Sequence, residues 1–333
     1  MDDMMAMPMV LGRRHVSAII QTEGATLPGV SAPGVDALVN FGLSEPGKRH
    51  IPVIAAGQQN EGRDITKYQN WLPFFRGMMT RANGLLPSPP EPWPLERRFE
   101  DKLVQLVEDC ESVSILLLGP YTSFVRYYPR LQEKVDRIVI MGLMIGDESA
   151  GKGRLSFNCE YDLAACEVAM VLLKQKPAFF VDVPRLPDCR GKVTPPPPHC
   201  YTPNLAMVAG DETSEGLVKK GLPGRLRKAL LNDYDCSSLL NPDNSSKLKC
   251  SSQSTWEPTA NVAAGGSGIL LWDQTAALFF LQPDDFALFY PADNPATGGK
   301  HYEPIVIDGS HEKTVDHLRA RWTELSNQSI QAR

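Results

Sequence analysis

The 333-residue sequence is most informative at first for what it lacks. It has no long apolar run. The best candidates, Ser114–Leu118 and Ile269–Leu281, are too short or too interrupted for the ~18 to 20 residues of a membrane span. The first residues show no basic region followed by an apolar core, so no signal peptide is read. There is no basic excess: 34 Lys and Arg against 39 Asp and Glu give a net charge of −5. That argues against a broad nucleic-acid surface and against a polybasic membrane patch. The seven cysteines form no C-x-x-C pair and are widely spaced. Zinc of the usual spacing and a dense disulfide framework are therefore not expected. Reduced thiols in a cytoplasmic protein are the expectation, with a disulfide in the loop-rich stretch Cys189–Cys250 left open. The six histidines, at 15, 50, 199, 301, 311 and 317, are scattered, which disfavours a histidine metal site. No G-x-S-x-G elbow marks a serine nucleophile.

What is present is a chain with 42% hydrophobic and 22% charged residues, long enough to bury a large core. Short β-rich runs alternate with helical patterns. His15–Gln21, His50–Ala55, Ser114–Leu118, Val135–Met141 and Ala178–Val183 read as strands. Ser31–Phe41, Phe99–Asp109, Leu163–Lys174 and Thr314–Leu325 read as helices, with Asp162 capping the third. A helical pattern also begins at once after Met1. Wholly apolar strands between helices predict an α/β fold: a mainly parallel open sheet with helices on both faces. Two stretches break the pattern, the proline-rich Ser88–Pro94 and a loop-rich insertion over Arg190–Gly265. The expectation is one domain over residues 1–333 carrying that insertion.

Individual motifs are weak. Gly146–Gly153 nearly matches a phosphate loop, but Gly153 stands where a hydroxyl should bind metal. Arg154–Tyr161 is read as not opening a helix, so no helix N-terminus is offered to a phosphate. Asp2-Asp3 precede an apolar helix, where carboxylates complement the helix dipole. Asn158 and Asp162 fall in SFNCEYDLAAC, which reads as a strand-to-helix turn, and Trp272-Asp273 open another apolar helix. Their order along the chain carries more. An acidic pair comes first, then L-G-P-x-T at Leu118–Thr122, I-M-G at Ile140–Gly142, F-N-x-x-x-D-x-x-A at Phe157–Ala165, and Asp273 near the end. Most sit at carboxyl ends of expected parallel strands, where open α/β sheets place ligands.

This order resembles the inosine-uridine-preferring nucleoside hydrolase family. Ile51–Gly57 (IPVIAAG) looks like its V-P-V-x-x-G strand, and Tyr68–Pro87 is similar to a segment of one branch. ILLLGPYTSF, SFNCEYDLAAC and WDQTAALFFLQPDDF resemble three further motifs. The resemblance runs through roughly Asp2–Asp188 and Gly268–Leu325. It implies hydrolysis of the N-glycosidic bond of ribonucleosides to ribose and free base, by a water bound to Ca²⁺. Carried over, Asp3, the Leu118 carbonyl and Asp273 match calcium ligands, while Asp2 and Asn158 match residues that hold ribose. The resemblance also implies a small-molecule nucleoside substrate and allows a homo-oligomer, since the family often forms dimers or tetramers; the charge balance and the lack of a long apolar run lead to the expectation of no nucleic-acid or membrane partner.

Three departures accompany it. The family's D-x-D-P-G turn, with the aspartate that activates water, would lie before residue 1, as would the central first strand of the sheet. Ser156 stands where the family has Glu, and Trp272 where it commonly has His. Trp272 could stack on a base. A catalytically degenerate nucleoside- or ribose-binding protein of the same fold is the alternative, and an enzyme for another ribosyl compound is a third reading.

Overall fold

The computed structural model describes residues 2–42, 49–57, 91–142, 144–145, 154–181, 272–288 and 300–305, and beyond these 307–309, 313–314, 317–318, 320–322 and 324–326. The insertion at Arg190–Gly265, the segment Tyr68–Pro87 and the loop Gly146–Gly153 lie outside the described residues.

In chain order the elements are α1 (Asp2–Arg13), β1 (Ile19–Gln21), α2 (Pro28–Asp36), β2 (Val53–Ala55), α3 (Phe99–Leu106), β3 (Val113–Leu117), α4 (Phe124–Leu131) and β4 (Val135–Met141). Then follow β5 (Met144–Ile145), β6 (Arg154–Leu155), α5 (Phe157–Tyr161), α6 (Leu163–Leu173), β7 (Ala178–Val181), α7 (Trp272–Leu281), β8 (Phe286–Leu288) and β9 (Lys300–Pro304). The described residues between 313 and 326 are helical as well. One five-stranded sheet has the order β3-β4-β7-β9-β8, and β1 pairs with β2 in a separate two-stranded ladder. Every pairing in these two sheets is parallel except β8 with β9. The expected mainly parallel, open architecture is what forms.

The continuous apolar strands follow from burial on both faces. Successive strand side chains point to opposite faces. On β4, Ile138 and Ile140 enter a cluster with Phe99, Phe124, Tyr128, Cys166 and Ala169, so α3, α4 and α6 cover that face. Val139 and Met141 enter a second cluster with Ala6, Met9, Ala277, Phe279 and Trp322, so α1, α7 and the C-terminal helix cover the other. The same alternation splits β3, with Ile115 and Leu117 in the first cluster and Leu116 and Leu118 packed against the second. It splits β7 too, between Phe180 and Val181. At the amino ends of β3 and β4 the polar Ser114 and Asp136 are exposed, and Ser114 Oγ donates to Asp136 Oδ1 at 2.8 Å.

The one cation within β4 ends α7. The Arg137 guanidinium lies over the Phe179, Phe279 and Phe280 rings and donates to the Phe279 and Phe280 carbonyls. Those are last-turn carbonyls of a helix, which have no partner within it.

Three expectations are corrected. A short helix does open after the glycine loop: Phe157–Tyr161 is α5, not a turn. Strands β8 and β9 were not anticipated. The cysteines are not all reduced, because Cys159 and Cys166 form a disulfide. Asp162 stands between them and ends α5 in a non-helical conformation, so the chain turns and brings the two sulfurs together over seven residues. Among the described residues no helix is long and apolar enough to cross a membrane.

Candidate functional site

The carboxyl ends of three parallel strands meet one short helix. After β1 the chain runs Thr22-Glu23-Gly24. After β3 it runs Leu118-Gly119-Pro120-Tyr121-Thr122. After β4 it turns at Gly142, whose φ of +47° is a left-handed conformation that favours glycine. The first two segments press together closely. A Cβ on Gly119 would come within 2.9 Å of the Thr22 methyl, and one on Gly24 within 3.0 Å of Pro120 Cδ. The Ser123 hydroxyl donates to Thr22 Oγ1 at 2.8 Å.

Helix α5 lies across these ends. Its N-cap Ser156 packs its Cβ position near Gly142, with 3.7 Å between the ideal glycine Cβ and Ser156 Cβ. Asn158 Nδ2 donates to the Leu118 carbonyl at 2.6 Å. Tyr161 Oη donates to Glu23 Oε1 at 3.0 Å. Just past the helix, Asp162 Oδ2 accepts from Thr122 Oγ1 at 2.6 Å, while its Oδ1 accepts from Ala165 N at 3.1 Å and caps α6. Asn158, Tyr161 and Asp162 are three and four residues apart, so a helical turn puts them on one side. Along α5 the side chains thus address β4, β3 and β1 in turn.

These polar groups are buried. Asn158 is 4% exposed and Glu23 8%. Ser156 is 2% exposed, and its hydroxyl has no hydrogen-bond partner among the described residues. It does not cap α5, although it occupies the N-cap position. Burying so many polar side chains beside one another is costly unless each is bonded to protein, water or ligand.

Of the residues expected from the sequence, Asn158 and Leu118 are brought into direct contact. Asp273 is buried at 2% exposure in the first turn of α7. Leu118 packs against the same core cluster to which α7 contributes. Asp2 and Asp3 open α1, which packs on α7 through Ala6 and Met9, but their side chains lie outside the described residues. So does the side chain of Trp272, whose backbone begins α7. Sequence reasoning missed Glu23 and Tyr161. The available signal was an acidic residue directly after an apolar strand, in the T-E-G that follows β1.

As for a metal, the Leu118 carbonyl and the Asp273 carboxylate are hard oxygen donors, the kind calcium takes. Among the described residues no three His, Cys, Asp or Glu side chains cluster to hold an ion.

No protein-family model and no curated protein sequence matches the chain. Solved structures do. The purine-preferring ribonucleoside hydrolase of Gardnerella vaginalis superposes with a TM-score of 0.55 at 12% identity, over 98% of this chain and 96% of that one. The chain has the nucleoside hydrolase fold. A plant nucleoside hydrolase, PpNRh1, matches with a TM-score of 0.55 at 14% identity, over 100% of this chain and 96% of that one. The effector protein XOO4466 matches with a TM-score of 0.57 at 15% identity, over 99% and 90%. At such identities the nucleoside hydrolase likeness is one of fold, with no preference for an inosine-uridine branch.

Proposed function

We propose that this protein hydrolyses the N-glycosidic bond of ribonucleosides, releasing ribose and a free base. The observation that carries the reading is the Asn158 amide held on the Leu118 carbonyl at the end of β3. It sits among buried polar groups at the strand ends of a fold shared over nearly the whole chain with ribonucleoside hydrolases. In this reading Asn158 and Asp2 bind and orient the ribose hydroxyls, and Trp272 stacks on the base.

Calcium belongs to the same proposal. Asp3, the Leu118 carbonyl and Asp273 would hold it, and the carbonyl can keep Asn158 on one lone pair while offering the other. When bound, the ion supplies a means of activating water near neutral pH and a grip on the ribose diol. The protein's own part is to align the sugar and keep bulk water away from it. Positive charge that develops on the sugar then lies among carboxylates and carbonyls rather than cations.

A second reading, a nucleoside- or ribose-binding protein without turnover, is favoured by Ser156. A neutral hydroxyl stands there where the resemblance leads one to expect a carboxylate.

The deciding assay measures ribose released from inosine, adenosine and uridine, with calcium added and with a chelator. Release that depends on calcium supports the hydrolase. Calorimetric binding of a nucleoside with no release selects the binding protein. Neither binding nor release with any of the three sinks both.

A further inference from the structure

The disulfide between Cys159 and Cys166 is placed where it can govern the candidate site. Cys159 is the neighbour of Asn158 on α5, and Cys166 sits on α6. Adjacent residues of a helix point about 100° apart. Asn158 can therefore address the end of β3 while Cys159 is bonded to α6. The bond spans seven residues, so it restrains one turn and not the whole fold. What it restrains is the element that brings Asn158, Tyr161 and Asp162 to Leu118, Glu23 and Thr122.

The two helices differ in how firmly they are seated. Helix α6 has eleven residues, and Ala165, Ala169 and Leu173 bury it in the cluster that covers β4. Helix α5 has five residues, below the length at which a helix holds its own shape. The sulfurs lie in the same cluster, Cys159 at 2% exposure and Cys166 at 1%. Two thiols need more room than one disulfide, and a close-packed core has little to give. On reduction it is the shorter helix that yields. The turn between the cysteines borders solvent, since Leu163 is 49% exposed and Ala164 is exposed too. A reductant thus reaches the bond by opening that turn alone.

We infer that Cys159 and Cys166 form a thiol–disulfide switch. Oxidised, it holds α5 and the Asn158 amide at the strand ends; reduced, it releases them and the site loses its ligand. The reductant is a dithiol. Its thiolate attacks one cysteine sulfur, the bond between the cysteines breaks, and the other cysteine leaves as a thiolate that takes up a proton. The second thiol of the reductant then attacks the mixed disulfide and frees the first cysteine. Two electrons and two protons pass from the dithiol, which becomes a cyclic disulfide. A small-molecule disulfide reverses the exchange. The loss of ligand rests on the nucleoside reading of the site; the release of α5 does not.

The test uses the wild-type full chain, oxidised and then reduced with dithiothreitol below its melting temperature, beside a Cys159→Ser, Cys166→Ser double variant. On reduction, hydrogen exchange read by mass spectrometry is expected to rise about tenfold or more over Ser156–Asp162 and to stay unchanged over Val135–Met141. Calorimetry is expected to show inosine affinity falling about fivefold or more, and returning when glutathione disulfide re-forms the bond. The double variant should bind like the reduced protein and ignore dithiothreitol, which separates this bond from the other cysteines. By reciprocity, saturating inosine should make the bond harder to reduce at equilibrium by the same factor. A staple that only stabilises the fold would lower the melting temperature on reduction and leave inosine affinity equal in the two forms. That outcome overturns the inference and spares the nucleoside reading. So does exchange that stays unchanged over Ser156–Asp162, or that rises as much over Val135–Met141. If neither form binds inosine, the nucleoside reading falls, and the exchange pattern alone upholds or overturns the release of α5.

Discussion

Asn158 and Leu118 are 40 residues apart in the chain and joined by a 2.6 Å bond from the side-chain amide to the backbone carbonyl. The contact ties α5 to the end of β3, inside a sheet whose strands are covered on both faces. It also fixes which way the Asn158 amide points: its nitrogen faces the strand end, and its oxygen is directed away from that carbonyl. One side chain thus both ties the helix to the strand end and fixes the direction of its own amide oxygen.

Replacing Asn158 separates these roles. Asn158→Ala should cost about 1 kcal/mol of stability through the lost hydrogen bond and abolish nucleoside binding or turnover. Asn158→Asp is the sharper variant, since a carboxylate would face a carbonyl oxygen. That charge is disfavoured, so the new carboxyl has a raised pKa in the folded state. Its destabilisation should be largest above that pKa and relax as pH falls and the carboxyl becomes a donor. Urea denaturation of both variants at pH 7 and pH 5 checks this. Equal stability of Asn158→Asp at the two values would contradict the assigned geometry.

The disulfide makes a second, independent prediction. Cys159 and Cys166 are buried and join α5 to α6 across the Asp162 turn. Closing so short a loop restricts the unfolded chain by about 2 to 3 kcal/mol in the chain-entropy account. A Cys159→Ser, Cys166→Ser double variant should therefore melt at a lower temperature than the oxidised protein. Addition of dithiothreitol should lower the wild type toward the variant and leave the variant where it is. Alkylation followed by peptide mass mapping should leave both cysteines unlabelled until reductant is present. Labelling of either in the native, unreduced protein would count against the bond.

Much of the fold was legible because burial leaves a plain trace. Strand β4 forms over the same residues, Val135–Met141, that its unbroken apolar run marks out. Helix α6 begins at Leu163 with the Asp162 cap that the sequence indicates. Other elements left no such trace. Strand β9, with the sequence KHYEP, has neither an apolar run nor alternation, and its place is set by pairing with β7 and β8 on either side. Helix α5 is five residues long, too short for periodicity to appear and too short to be stable alone. Within the site, Asn158 and Leu118 came from the order of motifs. Glu23 did not, because Tyr161, which holds it, lies 138 residues away in the chain. The disulfide was hidden for a related reason, since seven residues of helix would place the two cysteines too far apart without the break at Asp162.

Asp101, on the outer surface, gives a pH-dependent prediction. Asp101 lies between the guanidinium groups of Arg130 and Arg98, whose hydrogen bonds, that of Arg130 first, hold its carboxyl below the usual carboxylate range. A carboxylate with a depressed folded-state pKa adds stability above its unfolded pKa and loses it as pH falls through the folded one. Asp101→Asn should thus be less stable than the wild type at neutral pH. The difference should shrink below about pH 4 and vanish when the wild-type carboxyl is protonated. Because the pair is exposed, the difference should also diminish in high salt. Parallel denaturation curves from pH 7 to pH 2 provide the measurement. A difference that stays constant through the acid range would mean that Asp101 contributes packing and not charge.

Ser156 offers the clearest opposition between stability and ligand binding. Its hydroxyl is buried, does not cap α5 and has no hydrogen-bond partner among the described residues. A buried hydroxyl left unbonded costs about 1 to 3 kcal/mol, and removing it returns part of that. Ser156→Ala should therefore fold at least as stably as the wild type. If the hydroxyl serves the ligand at the end of β4, the same change should weaken nucleoside binding by several-fold, about the 1 kcal/mol of one neutral hydrogen bond. The two measurements move in opposite directions only for a group whose partner is the ligand. A variant that loses both stability and affinity would mean that the hydroxyl is bonded within the protein and that its effect on the ligand is indirect.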